Sequence, residues 1–416
     1  MPLRAAGVVL LLLIHLALGA ARWSFITTYD GAEYLQMAQN ILSKGSFTYD
    51  GANPVVGKPP GFPAILAAYV GLVGSPDGFQ HVQMVFLFLT FLLVAATVAR
   101  VLGPNWAWGL LTALVIVNPL QSLTYNLMSE PAFFFLTSIA IYSTLRLWES
   151  GRMRWALAAG AAYGLSAYVR PVNLLWPFAL LVVFWLVHRR RWRWAALILV
   201  THILVVAPWL ARNAVQFHRF VPMVANWGLL YYMADPNMYQ ILHAGGVADV
   251  MRTSAYNDIV KGECQFNWGP SERFRRAALA GIRADPGGYL RRCVHQSFFA
   301  WTFIPGTRGA LTSAPYWFLA GRVLMFAFYV VTAVGAYALW RRSPVVPLML
   351  VGYSLVTALV LFPFRTESRY LILPYLWLCP LAVAGLRSWL LSRIRPAGHR
   401  WSPRNEQLPP AIGGGA

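Results

Sequence analysis

Residues 80–99 read QHVQMVFLFLTFLLVAATVA, and this stretch decides the fold because it holds no Asp, Glu, Lys or Arg. A helix needs about 20 consecutive apolar residues to cross the hydrocarbon core of a bilayer. Further apolar runs lie on both sides of this stretch. They occupy residues 5–22, 106–122, 130–148, 155–169, 172–188, 194–210, 316–340, 344–363 and 370–390. The sequence therefore predicts an all-α polytopic membrane protein with about ten transmembrane helices.

The composition of the whole chain agrees with a lipid environment. Hydrophobic residues make up 58% of the chain and charged residues 12%, with a mean hydropathy of +0.53. Soluble domains carry about a quarter charged residues. This composition excludes a cytosolic enzyme, a secreted disulfide scaffold and a disordered regulator. The net charge is +20, but the basic residues separate apolar runs instead of lining one face. We therefore expect membrane lipids, and no nucleic acid, as partners.

The basic residues also predict the orientation. With the N-terminus in the cytoplasm, the cytoplasmic segments hold the basic clusters, whereas the short external loops after the third, fifth and ninth runs carry only Arg170, Arg365 and Arg369, as the positive-inside rule requires. Of the 14 acidic residues, only Glu149 and Glu406 then lie inside. Any carboxylate chemistry therefore belongs to the external face. Only three of the 34 basic residues are lysines, which suggests a GC-rich bacterial genome. We expect a bacterial inner or plasma membrane, with the active site on its periplasmic or extracellular side.

The spacing of the apolar runs divides the chain into four parts. An N-terminal membrane module covers residues 1–210, with an external loop at 23–79, although residues 5–22 also fit a cleaved signal peptide. A large external loop at 211–315 and C-terminal transmembrane helices at 316–390 follow. Residues 391–416 form a cytoplasmic tail of disordered composition.

Both external loops contain short amphipathic helical patterns. In the first loop, apolar residues recur at helical spacing within 34–41 and 62–69. In the second loop, residues 271–283 and 289–301 have helical patterns, which are separated by Asp-Pro-Gly-Gly at 285–288. The patterns in the first loop are too short to span the bilayer, so we expect those helices to lie along the membrane surface.

Two external segments carry candidate acidic groups. Residues 30–34 (DGAEY) place Asp30 and Glu33 one helical turn apart, followed by Tyr34. The same spacing is also a capping box, which satisfies helix amides without any chemistry. Residues 129–131 (SEP) open the fourth run with Glu130, and Ser-Glu-Pro is also ordinary helix-start sequence. Spacing alone leaves the structural and the functional interpretation open for both.

External cations form the second group of candidates. Lys58 is followed by two prolines, a rigid frame for a residue type that this chain almost avoids. Arginines on the external face are disfavoured by the positive-inside rule, and a cluster of them suits a phosphate ligand. The candidates are Arg170, Arg212, Arg365 and Arg369, the last followed by Tyr370. The alternatives are a snorkelling lysine and salt bridges to neighbouring acids.

Taken together, the order and external placement of these segments resemble one family. They are similar to the membrane-embedded GT-C glycosyltransferases of the family 39 and 83 type, which include protein O-mannosyltransferases and the lipid A aminoarabinose transferase. The resemblance extends over residues 1–390 and includes Pro208-Trp209 before Arg212-Asn213. It implies a GT-C fold and the transfer of a sugar from a polyprenyl phosphate carrier to an external acceptor, which is a protein, a lipid or a glycan.

The resemblance also implies roles for individual residues. Asp30 matches the catalytic aspartate of the first loop, Lys58 the phosphate-contacting lysine, and Glu130 the second acidic position. The other candidates are expected to bind substrate: Glu33, Tyr34, Arg170, Arg212, Arg365, Arg369 and Tyr370. Two departures concern the acceptor and any metal. Gly31 stands where many members have a second carboxylate, and Glu33 stands where the aminoarabinose transferase has an arginine.

These residue types suit an inverting single displacement. A carboxylate can take the proton of an acceptor hydroxyl while that oxygen attacks the anomeric carbon opposite the leaving group. The leaving phosphate needs cations rather than a strong acid, and Lys58 with Arg365 or Arg369 could supply them. Because the chain has no DxD segment, we expect no obligatory metal, although a divalent ion is compatible with the acidic residues.

Two other functions fit a polytopic protein with external cations. A transporter or flippase of lipid-linked sugars would be expected to carry ionisable residues near span centres, where Arg322 is the nearest candidate, and to have paired symmetric halves. A polysaccharide polymerase or ligase would also combine many spans with a large external loop. The acids of this chain lie in external loops, which favours the transferase.

Overall fold

The computed structural model describes residues 5–20, 29–117, 120, 123–244, 246–302, 315–364 and 368–394. Arg365 and the predicted tail from residue 395 onward lie outside these residues. The α-helices are α1 Ala5–Ala20, α2 Tyr29–Lys44, α3 Gly61–Val73, α4 Phe79–Leu102, α5 Pro104–Val117, α6 Glu130–Ser150, α7 Met153–Val169, α8 Trp176–Val187, α9 Trp192–Phe217, α10 Gly228–Ala234, α11 Pro236–Ala244, α12 Val247–Met251, α13 Ser254–Val260, α14 Trp268–Ala284, α15 Pro286–Thr302, α16 Pro315–Trp340, α17 Val345–Leu361 and α18 Ile372–Ile394.

Each of the ten predicted spans coincides with a helix of the described residues, namely α1, α4 to α9 and α16 to α18. The predicted all-α polytopic class is confirmed. Four helical stretches are long and apolar enough to cross a bilayer by length and composition alone: Phe79–Leu102, Arg189–Phe217, Leu319–Trp340 and Arg369–Ser392. The other apolar helices are shorter, so the number of spans stays a prediction.

Small residues allow the membrane helices to pack closely. A side chain on Gly335 of α16 would overlap the Leu381 carbonyl of α18, and one on Gly385 would overlap the Val331 carbonyl of α16. Gly160 of α7 lies equally close to α9, because a Cβ there would be 2.5 Å from the Ile198 carbonyl oxygen. Helices in membranes associate through such van der Waals contact, because lipid provides no hydrophobic drive between them.

Buried polar side chains fix the segments that lead into the N-terminal ends of α6 and α8. The Gln83 amide of α4 donates to the Asn126 carbonyl at 2.7 Å and accepts from the Met128 amide at 3.2 Å. Asn173 donates to Thr137 at 2.6 Å and accepts from Tyr353 at 3.1 Å. Each bond is strong in an apolar surrounding, so both segments are held in one position.

Charged clusters lie at the two ends of α6. At its C-terminal end, Glu149 contacts Arg100 at 2.6 Å and Arg146 at 3.2 Å. At its N-terminal end, Glu130 contacts Arg170 and Arg369. Because a helix of this length spans about 30 Å, the two clusters are a bilayer core apart. The arrangement agrees with the predicted separation of cytoplasmic and external charges.

The first external loop forms the two predicted amphipathic helices, α2 and α3. Their apolar faces pack into the bundle, where Tyr34, Ala38, Phe62 and Leu66 are buried. The start of α3 lies against the end of α7, since a Cβ on Gly61 would be 2.7 Å from the Tyr168 carbonyl oxygen. The apolar side chains therefore contact protein, and α3 is attached directly to the membrane module.

The predicted second external loop forms a helical unit with its own apolar core. Leu230, Tyr231, Met238, Tyr256 and Phe274 are among the buried residues of this core. The predicted helical patterns at 271–283 and 289–301 are confirmed as α14 and α15, which break at Asp285. Backbone bonds join this unit to the first loop, from Val56 N to the Phe266 carbonyl at 2.9 Å and from Ala225 N to the Val56 carbonyl at 2.8 Å.

Candidate active site

The start of α2 places two carboxylates on one side of the helix. Asp30 and Glu33 are one turn apart and both contact the ammonium of Lys58, at 3.0 Å to Asp30 Oδ1 and 2.7 Å to Glu33 Oε2. The other Asp30 oxygen, Oδ2, accepts from Arg369 Nη2 at 3.0 Å. Both oxygens of Asp30 therefore bind cations, so its carboxylate takes part in more than a helix cap.

Lys58 lies inside the protein and not at a lipid interface. Its side chain is 12% exposed, and its ammonium lies 5.0 Å from the Tyr34 ring centroid and 5.1 Å from that of Phe266. The amide of Gly57 donates to the Phe266 carbonyl at 3.0 Å, and the prolines after Lys58 lead into α3. The backbone on both sides of the lysine is thus fixed, which holds the ammonium between the two carboxylates.

A second charged group forms where α6 begins. Glu130 is 1% exposed and accepts from Arg170 Nη2 at 2.9 Å, with Arg369 Nη1 at 3.5 Å. Arg170 also donates from Nε to the Ser129 hydroxyl at 3.1 Å. The Tyr370 ring lies 4.6 Å from the Arg170 guanidinium and 5.3 Å from that of Arg369. Arg369 therefore connects the two acidic positions, since it contacts both Asp30 and Glu130.

Most of these charged groups line one wall of a cavity of about 600 Å³. Asp30, Glu33, Lys58, Arg170 and Arg369 make this wall charged. The remaining lining is mostly apolar and comes from the membrane helices and the second external loop. It includes Phe133, Val172, Val360, Leu361 and Phe364 of the membrane part and Trp227, Leu229, Tyr232, Met251 and Phe274 of the loop. The cavity can thus hold a ligand with a charged head and an apolar body.

The charges around the carboxylates shift their proton affinities in opposite directions. Burial disfavours the ionised form of Asp30, but the charges of Lys58 and Arg369 outweigh burial and hold the pKa of Asp30 well below its usual range. For Glu33, burial outweighs the attraction of Lys58, and the nearby Asp30 charge adds to it, so the pKa of Glu33 is raised. Burial also opposes charge on Lys58, but the surrounding acidic groups raise its pKa, so the ammonium stays protonated.

Two sequence candidates take other positions, and a third lies outside the described residues. Arg212 lies in α9, which continues beyond its predicted end, and donates to the Val55 carbonyl at 3.4 Å and the Asn213 side chain at 2.9 Å. It is not part of the cavity lining. Glu130 lies behind the lining and contacts it through the two arginines. Arg365 lies outside the described residues. Substrate binding by Arg212 and a catalytic role for Glu130 stay predictions.

Two functional candidates come from the second loop and were not predicted. Gln265 Nε2 donates to Glu33 Oε1 at 3.4 Å, and the Tyr256 hydroxyl donates to Gln265 Oε1 at 2.8 Å. Neither residue lies in a recognisable motif, and 232 positions separate Gln265 from Glu33. The only sequence signal was indirect, a polar residue in the aromatic stretch 264–268 (CQFNW).

The donor atoms at the site are relevant to metal binding. Within the described ranges, no three His, Cys, Asp or Glu side chains come together as a metal site. Asp30 and Glu33 offer hard oxygen ligands of the kind that Mg²⁺ uses, but in this structure those oxygens contact Lys58 and Arg369. A divalent ion at this position would therefore have to compete with two fixed cations.

The sequence matches one known family over part of its length. Residues 57–211 match the family described as dolichyl-phosphate-mannose-protein mannosyltransferase. The matched stretch contains Lys58, Glu130 and Arg170, whereas Asp30 and Arg369 lie outside it. No curated protein matches the chain. The family match therefore covers less than half of the chain and only part of the candidate site.

Two archaeal structures share the fold across nearly the whole chain, and a third structure aligns less closely. The oligosaccharyltransferase AglB from Archaeoglobus fulgidus, in complex with an inhibitory peptide and a dolichol-phosphate, aligns with a TM-score of 0.54 at 12% identity, covering 95% of this chain and 52% of that one. An oligosaccharyltransferase from the same organism, in complex with Zn and sulfate, aligns at 0.55 with 13% identity, covering 93% and 50%. ArnT from Cupriavidus metallidurans bound to undecaprenyl phosphate aligns at 0.46 with 15% identity, covering 92% and 78%.

The chain spans about half the length of the archaeal oligosaccharyltransferases, and the identities are too low to carry more than architecture. The archaeal alignments confirm the predicted GT-C fold. The family match confirms the predicted resemblance to polyprenyl-phosphate-sugar-dependent glycosyltransferases of the mannosyltransferase type over residues 57–211.

Proposed function

We propose that this chain is an integral membrane glycosyltransferase that moves a sugar from a polyprenyl phosphate carrier to an acceptor hydroxyl. The observation that carries the proposal is the cavity in which Asp30 and Glu33 meet Lys58 and Arg369. The cavity lies at the end of a helical bundle. Its carboxylates can accept a proton, and its cations can bind a phosphate. The family match over residues 57–211 supports the same activity.

The chemistry is a single displacement at the anomeric carbon. The acceptor oxygen loses its proton to one of the two carboxylates on Lys58, and the family resemblance favours Asp30. That oxygen forms the new bond to the anomeric carbon while the bond from this carbon to the phosphate oxygen breaks. The electron pair leaves with the phosphate, and the anomeric configuration is inverted.

The cations supply electrostatic stabilisation for the leaving group. Lys58 and Arg369 already point into the cavity and would face the phosphate, while Arg170 adds a third positive charge on the same wall. The apolar residues Val360, Leu361 and Phe364 lie at the end of α17, where a polyprenyl tail could reach the site from the bilayer. A dolichol-phosphate bound to the archaeal oligosaccharyltransferase of the same fold supports this class of donor.

We place the enzyme in a bacterial inner or plasma membrane, with the cavity on the periplasmic or extracellular side. The basic cluster around Arg100 and Arg146 at the opposite end of α6 supports this orientation. The proposed division is a membrane module at 1–210, an external unit at 211–315, membrane helices at 316–390 and a tail at 391–416. The acceptor is a protein, lipid or glycan hydroxyl, and no metal is obligatory.

The proposal is tested by purifying the chain in detergent and measuring free polyprenyl phosphate released from a panel of polyprenyl-phosphate sugars. A crude acceptor extract is present or absent, and a parallel series contains EDTA. We expect acceptor-dependent release, unchanged by EDTA and lost in Arg369→Gln. Arg219→Gln, which removes an external arginine that contacts Trp268 outside the cavity, is the matched control and should behave as wild type. Absence of acceptor-dependent release with every donor would overturn the proposal.

A further inference from the structure

A second cavity, of about 580 Å³, lies between the two predicted external loops. Its lining comes from the segments 50–54 and 262–269 and from the C-terminal end of α9 at Gln216 and Phe217. No described residue lines both this cavity and the candidate active site. Its walls carry aromatic rings, carboxylates and side-chain amides, so it is a separate place where a small polar ligand can bind.

One buried polar atom at this cavity has no partner among the described residues. Asn267 is 7% exposed and directly precedes α14, a position where an Asn side chain usually accepts from the first helical amides. Its side chain instead donates from Nδ2 to Asp50 Oδ2 at 3.1 Å, and its Oδ1 accepts from none of the described groups. A buried acceptor without a donor is costly, so this oxygen is best satisfied by a donor from a ligand.

Asp50 holds the Asn267 amide in this orientation. Its Oδ1 accepts from the backbone amides of Ala52 at 2.9 Å and Asn53 at 2.8 Å, and its Oδ2 accepts from the Asn53 side chain at 3.0 Å. Because a carboxylate can only accept, Nδ2 of Asn267 must face Asp50, and Oδ1 points away from it. Asp50 already binds four N–H groups, so a metal ion would have to displace one of them.

The other walls combine an aromatic pair with a second carboxylate. The rings of Phe217 and Trp268 stack, with centroids 5.6 Å apart and 23° between their planes. Glu263 also lines the cavity, and its Oε1 accepts from Arg273 at 2.6 Å. Aromatic rings suit the C–H face of a sugar ring, and acceptor oxygens suit its hydroxyls. The chemistry of the lining therefore fits a sugar.

The same two chain segments form both cavities. Lys58 and Gln265 line the candidate active site, whereas Asp50 and Asn267 line the second cavity. The Cα atoms of Gln265 and Asn267 are at most about 7 Å apart, because two extended residues span no more. A ligand in the second cavity is therefore a close neighbour of a substrate in the first.

We propose that the second cavity binds a neutral sugar unit of a glycan acceptor, close to the unit that receives the transferred sugar. One hydroxyl of this unit donates to Asn267 Oδ1 and another to Glu263, while its C–H face lies against Phe217 and Trp268. A phosphate or another anion is disfavoured, because it would meet the charges of Asp50 and Glu263. The assignment to the acceptor rests on the proposed function, whereas the binding of a sugar does not.

Holding the acceptor at two places strengthens its binding without any new contact to the reacting hydroxyl. Once one unit is bound, the effective concentration of the next unit at the active site rises. Loss of the second cavity should therefore raise KM for the acceptor and leave KM for the donor unchanged. A merely structural effect on the two loops would change both values.

Binding is tested on the full chain in detergent, with polyprenyl phosphate in excess to occupy the active site. The probes are the methyl glycosides of glucose, galactose, mannose and N-acetylglucosamine, followed by saturation-transfer NMR, and a serine-threonine tetrapeptide is the alternative probe. We expect a glycoside to bind, and Asn267→Ala to lower its affinity roughly tenfold, as for the loss of one hydrogen bond.

A second variant blocks the cavity from an exposed position. Gln216 is exposed at the end of α9 and lines the cavity, so Gln216→Trp fills it without removing a buried side chain. We expect this variant to lose glycoside binding. Val215→Trp is the matched control, because Val215 is 74% exposed and is not among the described lining residues. It should bind the glycoside as wild type does.

Transfer gives the second readout, with the acceptor extract separated into protein, lipid and glycan fractions. We expect transfer to the glycan fraction. Gln216→Trp should raise KM for this fraction roughly tenfold with an unchanged KM for the donor, whereas Val215→Trp should change neither. Transfer to the protein or lipid fraction alone would overturn the assignment to a glycan acceptor, as would an unchanged KM in Gln216→Trp.

The sugar site itself is overturned if no glycoside binds wild type, or if Asn267→Ala and Gln216→Trp bind it as wild type does. It is equally overturned if the tetrapeptide alone binds and Gln216→Trp abolishes that binding, which would make the cavity a peptide site. A wild-type chain without acceptor-dependent transfer overturns the proposed function, while the NMR result still decides whether the cavity binds a sugar. The two failures are therefore distinct.

Discussion

At the scale of single residues, Lys58 neutralises the acidic pair of the site. Its ammonium contacts both Asp30 and Glu33, and only 12% of its side chain is exposed. Removing one partner of a buried ion pair leaves the other charge without compensation and costs about 3–5 kcal/mol. We expect Lys58→Met to lower the melting temperature in detergent clearly and to abolish transfer, as measured by thermal shift and by the release assay.

The control removes the charges that Lys58→Met leaves behind. In the triple variant Lys58→Met, Asp30→Asn, Glu33→Gln, the melting temperature should recover most of its loss while transfer stays absent. If Lys58→Met is as stable as wild type, Lys58 does not neutralise a buried charge, and its contacts with Asp30 and Glu33 do not contribute to stability.

Glu130 and Glu149 give a matched pair at the two ends of α6. Glu130 is 1% exposed between two arginines, whereas Glu149 is 37% exposed beside Arg100. Buried pairs are costly to break, and exposed pairs contribute about 0–1 kcal/mol. Glu130→Gln should therefore lower the melting temperature and weaken donor binding, because Arg170 and Arg369 then repel each other. Glu149→Gln should change neither, and equal effects of the two variants would contradict this account.

The sequence predicted which residues belong to the site better than it predicted which of them contact each other. Arginines are few in the short external loops, so each one there was informative, and Arg170 and Arg369 do line the cavity. The same reasoning selected Arg212, whose guanidinium lies instead 4.7 Å from the Trp209 ring and contacts the backbone of the Lys58 loop. Asp30 and Arg369 are 339 positions apart in the chain. Periodicity in the sequence cannot predict that two side chains so far apart are in contact.

At the scale of elements, the contact between α3 and α7 fixes the position of Lys58. A Cβ on Gly61 would lie 2.7 Å from backbone atoms of Tyr168, which cannot move aside as a flexible side chain can. Overpacking of this kind costs about 1–3 kcal/mol. We expect Gly61→Ala to shift the start of α3, lower the melting temperature and raise KM for the donor.

Gly71 of the same helix provides the control. A Cβ there would meet only the end of the Leu42 side chain, at 3.1 Å. Since alanine is also a better helix former than glycine, Gly71→Ala should leave stability and KM unchanged or slightly improved. An equal loss in both variants would mean that the contact with α7 does not position Lys58.

Elements were predictable in proportion to their length. The ten apolar runs are identified by their length and hydropathy, and the patterns that became α2, α3, α14 and α15 are identified by apolar residues at helical spacing. Helices α10 to α13 have five to nine residues and were not predicted. Their stability comes from the shared core around Tyr231, Tyr256 and Phe274, which is formed only in the tertiary structure.

At the scale of the whole molecule, the account requires the cavity and the basic clusters to lie on opposite sides of the membrane. Ser75 lies in the turn before α4, on the side of the cavity, and Ser343 lies between α16 and α17. Starting from a variant with Cys264, Cys293 and Cys379 replaced by alanine, we expect Ser75→Cys to react with a membrane-impermeant maleimide in intact cells. Ser343→Cys should react only after permeabilisation, and the reverse pattern would contradict the orientation.

The central claim is that one cavity transfers a sugar from polyprenyl phosphate by direct displacement. The most direct test reconstitutes the purified chain in lipid vesicles with a polyprenyl-phosphate sugar of known anomeric configuration and determines the product by mass spectrometry and NMR. The account predicts one acceptor glycosylated for each polyprenyl phosphate released, with inverted configuration. Retention of configuration would contradict the direct displacement, and movement of the intact donor across the membrane without transfer would indicate a transporter and contradict the central claim.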